Sequence, residues 1–164
     1  TLVSGPVSLT PPPFVNVVSV TSAQDMYNAV TSLAPEQDAI VKAAAVADYA
    51  PSQVSTEKVK KKDNDMSIPL TRTQDILKYV GEHKKSGQFL CGFSMETEHL
   101  LENSQTKLIK KNVDMIVANN LKEQGAGFET DTNIVTMITP DQIFELELMS
   151  KEEVAHAIWN KIFN

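Results

Sequence analysis

The sequence predicts an open α/β domain: a three-layer, mostly parallel, Rossmann-like sheet with a late antiparallel portion. Three observations lead there. Runs rich in β-branched and apolar residues at 15–20, 38–47, 89–94 and 113–118 alternate with stretches whose apolar residues recur at helical spacing, the signature of strands alternating with helices. The 38–47 run is almost continuously apolar, as expected of a parallel strand covered on both faces. The last third adds two short strand signals, 133–138 and 144–148, that read as an antiparallel pair. With 164 residues, no internal repeat and no linker, residues 1–164 are expected to form a single domain with its own core.

Taken in order, Thr1-Leu2-Val3-Ser4 reads as a strand entered without an element before it, as though an earlier strand and helix were removed. Gly5-Pro6 turns the chain, and Pro11-Pro12-Pro13 is a stiff connector without free amide hydrogens. After the 15–20 strand, Ser22 with Asp25 echoes a capping box. Met26, Val30 and Leu33 then share a helical face until Pro35 ends the helix. Beyond the 38–47 strand, residues 51–64 are polar and aperiodic; long loops in compact domains are functional lids or disordered. Residues 66–70 form a short strand, the return arm of a mobile lid over 51–70. A helix over 74–85 turns Ile76, Leu77 and Val80 inward. The 89–94 strand leads to Glu96 and Thr97, and Thr97 caps a helix over 98–112, on which Lys107 and Lys111 share a face. The 113–118 strand ends at Asn119-Asn120, and residues 125–131 turn. Ser150 caps a last helix with Val154, Ala155, Ile158 and Ile162 as its core stripe. Right-handed crossovers put the ends of parallel strands on one edge. Ala47 and Asp48, residues 94–97, and Asn119 are therefore expected to gather there, where ligands bind in open α/β sheets.

Composition narrows the function classes. Hydrophobic content is 41% and charged content 22%, ordinary for a globular protein, and no apolar run approaches membrane-spanning length. The single cysteine, Cys91, excludes an internal disulfide and fits a reducing compartment, expected to be the cytoplasm. A net charge of −6 argues against non-specific nucleic-acid binding. Yet seven of the fifteen basic residues fall in two clusters, 58–62 and 107–111, a pattern that suits a small phosphorylated ligand.

The stretch KAAAVADYAPSQVSTEKVKKK, residues 42–62, carries the densest chemistry. Ala43, Ala44 and Ala45 would let a ligand approach the backbone, Asp48 would accept hydrogen bonds from a sugar or base, and Lys58, Lys60, Lys61 and Lys62 would gather on phosphates. The plainer reading is a buried strand followed by a solvated basic loop, and a solvated charge is likewise the plainer reading of Lys107 and Lys111. Phe93 either stacks on a base or packs in the core. His83, His99 and His156 are scattered without ligand spacing, and no metal-binding residues are expected. Cys91 lies in an apolar strand, the setting of a small hydrophobe rather than a nucleophile. Neither a Gly-x-x-x-x-Gly-Lys loop nor a Gly-x-Gly-x-x-Gly turn is present, which weakens an NAD(P) oxidoreductase reading without removing it. A non-catalytic nucleotide-binding module is a further alternative.

Several ordered motifs together resemble a known family. Ala43-Ala44-Ala45-Val46-Ala47-Asp48-Tyr49 is followed by Glu57-Lys58-Val59-Lys60-Lys61, Thr73-Gln74-Asp75-Ile76-Leu77 and Gly92-Phe93-Ser94-Met95-Glu96-Thr97. Lys107-Leu108-Ile109-Lys110-Lys111-Asn112-Val113-Asp114 and Ile116-Val117-Ala118-Asn119 complete the series. With Thr1-Leu2-Val3-Ser4-Gly5-Pro6, the set resembles phosphopantothenoylcysteine synthetase of the bacterial, CTP-dependent type, over essentially the whole chain. The resemblance implies a ligase of coenzyme A synthesis that joins 4′-phosphopantothenate to cysteine through an acyl-cytidylate, with CTP and Mg²⁺, as a homodimer whose substrate site is shared across the interface. It implies Lys42, Ala43 and Ala44 along the nucleotide, Ala45 at the substrate, and Asp48 at the sugar or base. Gln74, Asp75, Ile76, Leu77 and Phe93 would shape the pocket, Lys107 and Lys111 would hold phosphates, and Lys58 would be the catalytic lid lysine. It further implies a strand, a glycine-rich loop and a helix ahead of Thr1, bearing an Asn and an Arg of the site; without them the chain is expected not to complete catalysis. Gln74 stands where the family often has Pro, and Ser94-Met95 where it often has Ala-Ala.

Overall fold

The structure is a computed structural model that describes residues 1–61, 65–96, 99–120 and 130–163. Lys62, Thr97 with its expected cap, and residues 125–129 of the expected turn lie outside the described residues. In chain order the elements are β1 (Leu2–Ser4), β2 (Val17–Ser19), α1 (Ala23–Leu33) with a 3₁₀ turn over Ala34–Glu36, β3 (Ala39–Lys42), β4 (Tyr49–Pro51) and β5 (Leu70–Arg72). There follow α2 (Ile76–His83), β6 (Phe89–Glu96), α3 (Leu100–Lys110), β7 (Met115–Asn120), β8 (Thr132–Asn133), β9 (Val135–Ile138), β10 (Ile143–Glu145), β11 (Met149–Ser150) and α4 (Lys151–Phe163). They divide into two compact units: Thr1–Val30 with Ala44–Asp75, and Thr31–Ala43 with Ile76–Asn164.

In the first unit β1 and β2 pair in parallel, Leu2 opposite Val17 and Ser4 opposite Ser19. The Ser22 hydroxyl accepts from the Asp25 N–H (3.1 Å) while the Asp25 carboxylate accepts from the Ser22 N–H (2.9 Å). This reciprocal capping box opens α1. Pro35 sits in the 3₁₀ turn that follows α1. β4 and β5 form an antiparallel ribbon, Tyr49 opposite Arg72 and Pro51 opposite Leu70, and the Ser52 N–H donates to the Pro69 carbonyl (2.9 Å) just beyond it. The expected return strand over 66–70 is thus displaced to Leu70–Arg72, where a partner exists.

The second unit is built on a five-stranded sheet in the order β10-β9-β7-β6-β3. β3, β6 and β7 are parallel, and β9 and β10 add antiparallel strands. Successive side chains of a strand face opposite ways. Cys91, Met115, Val117, Val135 and Met137 therefore pack on one face, against Val154 and Ile158 of α4. Leu90, Gly92 and Ser94 look the other way. A Cβ at Gly92 would stand 2.4 Å from Leu77 Cδ2, and the hydroxyls of Ser94 and Ser104 lie 3.0 Å apart, so α2 and α3 cover that face. Helices on both faces complete the three layers.

Several boundaries differ from expectation for identifiable reasons. The strand expected over 38–47 stops at Lys42, where its pairing with Gly92 ends, and the alanines that follow have little strand preference of their own. β3 is an edge strand of its sheet, and Val41 is exposed rather than covered on both faces. The strand expected over 133–138 is two pieces, because the chain changes partner at Ile134, whose N–H is held by the Asn133 side chain (3.0 Å). Ala155 faces solvent, and Ala157 takes its place beside Ile162 against the core.

Candidate functional site

The segment after β3 is irregular, and its small residues are open: Ala43, Ala44, Ala45 and Ala47 are exposed, and the Val46 N–H turns back to the Ala44 carbonyl (3.1 Å). Asp48 is exposed, and its carbonyl accepts from the Thr73 N–H (3.0 Å), while the Thr73 hydroxyl donates to the Ala47 carbonyl (2.6 Å). These two bonds join the alanine segment to the Thr73-Gln74-Asp75 turn, in which Gln74 and Asp75 are exposed. The β4–β5 ribbon rises from the same junction, with the Arg72 guanidinium 5.8 Å from the centre of the Tyr49 ring. Its connecting loop carries Lys58, Lys60 and Lys61, all exposed. Within the first unit, Ala44, Ala45, Asp48, Gln74, Asp75 and the root of the lysine loop are thus contiguous.

In the second unit, Lys42 ends β3 opposite Gly92, and Met95 of β6 lies opposite Asn119 of β7. The three parallel strands therefore end on one edge. Phe93 is partly buried against the core cluster, the core alternative of its two readings. Ile76 and Leu77 are 3% and 5% exposed, with Leu77 resting over Gly92, so their side chains pack in the interior and only their backbone is left to meet a ligand.

Lys107 and Lys111 are half-buried on the face of α3 that carries buried Ser104 and Leu108. The C-terminal end of α3 reaches the start of β6: the Asp114 N–H donates to the Leu90 carbonyl (2.9 Å), and the Asp114 carboxylate accepts from the Leu90 N–H (2.7 Å) and from Lys84 (2.6 Å). Starting from Ser104 beside Ser94 and running toward the strand starts at 1.5 Å per residue, Lys107 lies about 4.5 Å and Lys111 about 10 Å further down. Helical side chains lean toward the N-terminus, which here is toward the strand ends. Lys107 stands within α3 and Lys111 at its C-cap.

Other candidates resolve simply. Burial, with the Asp114 charge adding to it, pushes the Cys91 thiol up to about 12, so it stays protonated and unreactive. The three histidines are exposed, with His83 Nδ1 2.8 Å from the Tyr79 carbonyl. No group of three or more His, Cys, Asp or Glu side chains among the described residues is arranged to hold a metal ion. No helix among the described residues is long and apolar enough to cross a membrane. Asn119, expected at the strand edge, has a side-chain oxygen that is buried without a hydrogen-bond partner among the described residues.

Parallel strands ending on one edge, with small open residues and a lysine loop elsewhere in the chain, define an open α/β domain of the ligand-binding kind. The profile of the DNA/pantothenate metabolism flavoprotein C-terminal domain matches residues 1–164, and the chain belongs to that family. It is 47% identical over 163 residues to the coenzyme A biosynthesis bifunctional protein CoaBC of Bacillus subtilis (strain 168), covering 98% of this chain and 40% of that protein. A cysteine/cysteine sulfinic acid decarboxylase from an unknown prokaryotic organism is 44% identical over 164 residues, covering 99% of this chain and 46% of that protein. The chain thus spans less than half the length of these relatives. Among solved structures, the C-terminal domain of a coenzyme A biosynthesis bifunctional protein CoaBC superposes with a TM-score of 0.80 at 43% identity, covering 98% of this chain and 70% of that one.

Proposed function

We propose that the chain is the nucleotide-handling part of a CTP-dependent ligase that joins 4′-phosphopantothenate to cysteine in coenzyme A synthesis. The observation that carries this reading is the pair of hydrogen bonds from Thr73 to Ala47 and Asp48. They put an open small-residue segment, an exposed carboxylate and the root of a lysine loop on one piece of structure. Relationship to the coenzyme A biosynthesis protein CoaBC supports the pathway, and the substrates are those the motif resemblance implies.

In this reading a carboxylate oxygen of phosphopantothenate attacks the α-phosphorus of CTP. The bond to pyrophosphate breaks with its electron pair, leaving an acyl-cytidylate. The neutral amine of cysteine then attacks the acyl carbon, CMP departs, and the amine proton passes to water. A carboxylate is a poor electrophile, and the mixed anhydride supplies the leaving group. The chain's part is to position and to neutralise charge. Lys42, Ala43 and Ala44 line the nucleotide, Ala45 meets the acyl substrate, and Asp48 accepts from the sugar or base. Gln74, Asp75, Ile76, Leu77 and Phe93 are assigned to the nucleotide as well. Lys58, on the loop, reaches the phosphates as the loop closes. An ammonium–phosphate contact there is worth about 1–4 kcal/mol, depending on how much water remains. Lys107 contributes to the phosphate field from α3, with Lys111 behind it. Mg²⁺ would arrive with the triphosphate and its waters and would supply charge neutralisation there. The same reading makes the ligase a cytoplasmic homodimer that does not bind nucleic acid.

Thermal-shift titration of the full-length protein with CTP, ATP and NAD tests it. CTP is expected to raise Tm most, as mass action requires of a ligand of the native state. A larger shift with NAD, or none with any nucleotide, sinks the proposal. Lys58→Ala is expected to lower kcat at least tenfold more than it weakens CTP binding, because its contact forms only in the closed state. Equal losses in both would remove its special role.

A further inference from the structure

Buried polar atoms in folded proteins almost always have a partner, and one left without it is costly. The side-chain oxygen of Asn119 is buried and has none among the described residues. Its surroundings are specific. Asn119 is the fifth residue of β7, on the same face as Met115 and Val117. Its neighbour on β6 is Met95, 46% exposed, and its neighbour on β9 is Val135, 1% exposed. A single acceptor thus stands between a wholly buried aliphatic side chain and an open, polarizable one, at the edge where the parallel strands end.

We infer that Asn119 is a specificity-determining residue whose side-chain oxygen accepts a hydrogen bond from the exocyclic amino group of the nucleotide's base. An amide oxygen accepts and cannot donate, so the group it meets must carry an N–H or O–H; phosphate and carboxylate oxygens are excluded. The open partner is the thioether of Met95, an adaptable apolar surface of the kind on which a flat ring settles. A planar apolar ligand with an N–H donor on its edge satisfies both neighbours at once, and an amino-bearing nucleobase has that form. An amine substrate or a sugar hydroxyl would satisfy the oxygen and leave the Met95 surface open. A site that hydrogen-bonds a ligand group rejects the analogue lacking it, because its own buried group is then left unpaired.

The inference rests on the CTP-dependent reading, and the experiment separates the two. Initial rates of the full-length protein are measured with CTP and with UTP, which has a carbonyl in place of the amino group. For Asn119→Ala the KM for CTP is expected to rise about tenfold, with the KM for UTP changed less than about twofold, so that the preference for CTP shrinks. Asn119→Asp keeps an acceptor at the same place and is expected to retain the preference; it also carries the test if the alanine variant does not fold. Equal effects on both nucleotides, no effect on either, or loss of the preference in Asn119→Asp overturns the inference while leaving the ligase reading standing. Failure of the unaltered protein to use CTP overturns the ligase reading and takes this inference with it.

Discussion

Gly81 is the residue whose side chain the fold can least accommodate. A Cβ there would lie 1.8 Å from the Lys111 carbonyl oxygen, a backbone atom that cannot swing aside. Asn112, held at a positive φ of 49°, donates from its side chain to the Gly81 carbonyl (2.7 Å). α2 and the end of α3 are thus pinned together at one point. Gly81→Ala is expected to cost about 3 kcal/mol, the upper range for overpacking, read as a lower urea midpoint with an unchanged m-value; a midpoint within error of the natural protein would contradict the contact. The sequence makes little of this glycine, since its neighbour is 30 residues away along the chain. Asn119 and Phe93 were similarly half legible. Strand position pointed to the edge for the one, and apolar character to the core for the other. Whether a partner atom is missing, or a ring packed, is decided only by neighbouring strands.

At the scale of elements, the capping boxes were the most legible features because both partners lie within four residues. Ser150 and Glu153 form the second: the hydroxyl accepts from the Glu153 N–H (3.1 Å), and the carboxylate accepts from the Ser150 N–H (2.8 Å) and hydroxyl (2.7 Å). Ser150→Ala is expected to cost about 1 kcal/mol. The Ser150 hydroxyl, and then its N–H, hold the Glu153 carboxyl below the usual carboxylate range. A carboxyl depressed in the folded state stabilises it above the unfolded pKa, and that contribution is lost as pH falls through the folded value. The Tm gap between the natural protein and Glu153→Gln is therefore expected to hold above the unfolded glutamate value of about 4.3 and to narrow as pH falls below it; a gap that does not narrow in acid would show another cause. Strand ends were less legible than helix caps. β3 stops where β6 offers no further partner, and β9 begins where the chain leaves β11, so both limits are set by residues distant in sequence.

Across the whole molecule, alternation of strand and helix identified the architecture, because the periodicity of each element is local. The division into two units was not legible. Residues 44–75 leave the second unit and return to it, and nothing in local periodicity marks which segments pack together. Their burial is unequal. Among the described residues, Met26 is the buried hydrophobic side chain of the first unit, whereas Leu90, Met115, Ile116, Val117, Val135 and Ile138 are all under 2% exposed in the second. Fully burying each aliphatic side chain is worth roughly 1.5–3 kcal/mol. Amide hydrogen exchange is therefore expected to be slowest in β6 and β7 and fastest in the 52–61 loop, with proteolysis beginning in that loop. Comparable protection in both places would mean the loop is held by contacts of its own. The ribbon of β4 and β5 also makes that loop a natural place for a reporter. Its two arms are zipped at the base by backbone bonds, so a dye attached at Val54, 84% exposed, hangs from a fixed stalk, and a change in its brightness on adding CTP would be the direct sign that the proposed meeting of loop and triphosphate takes place.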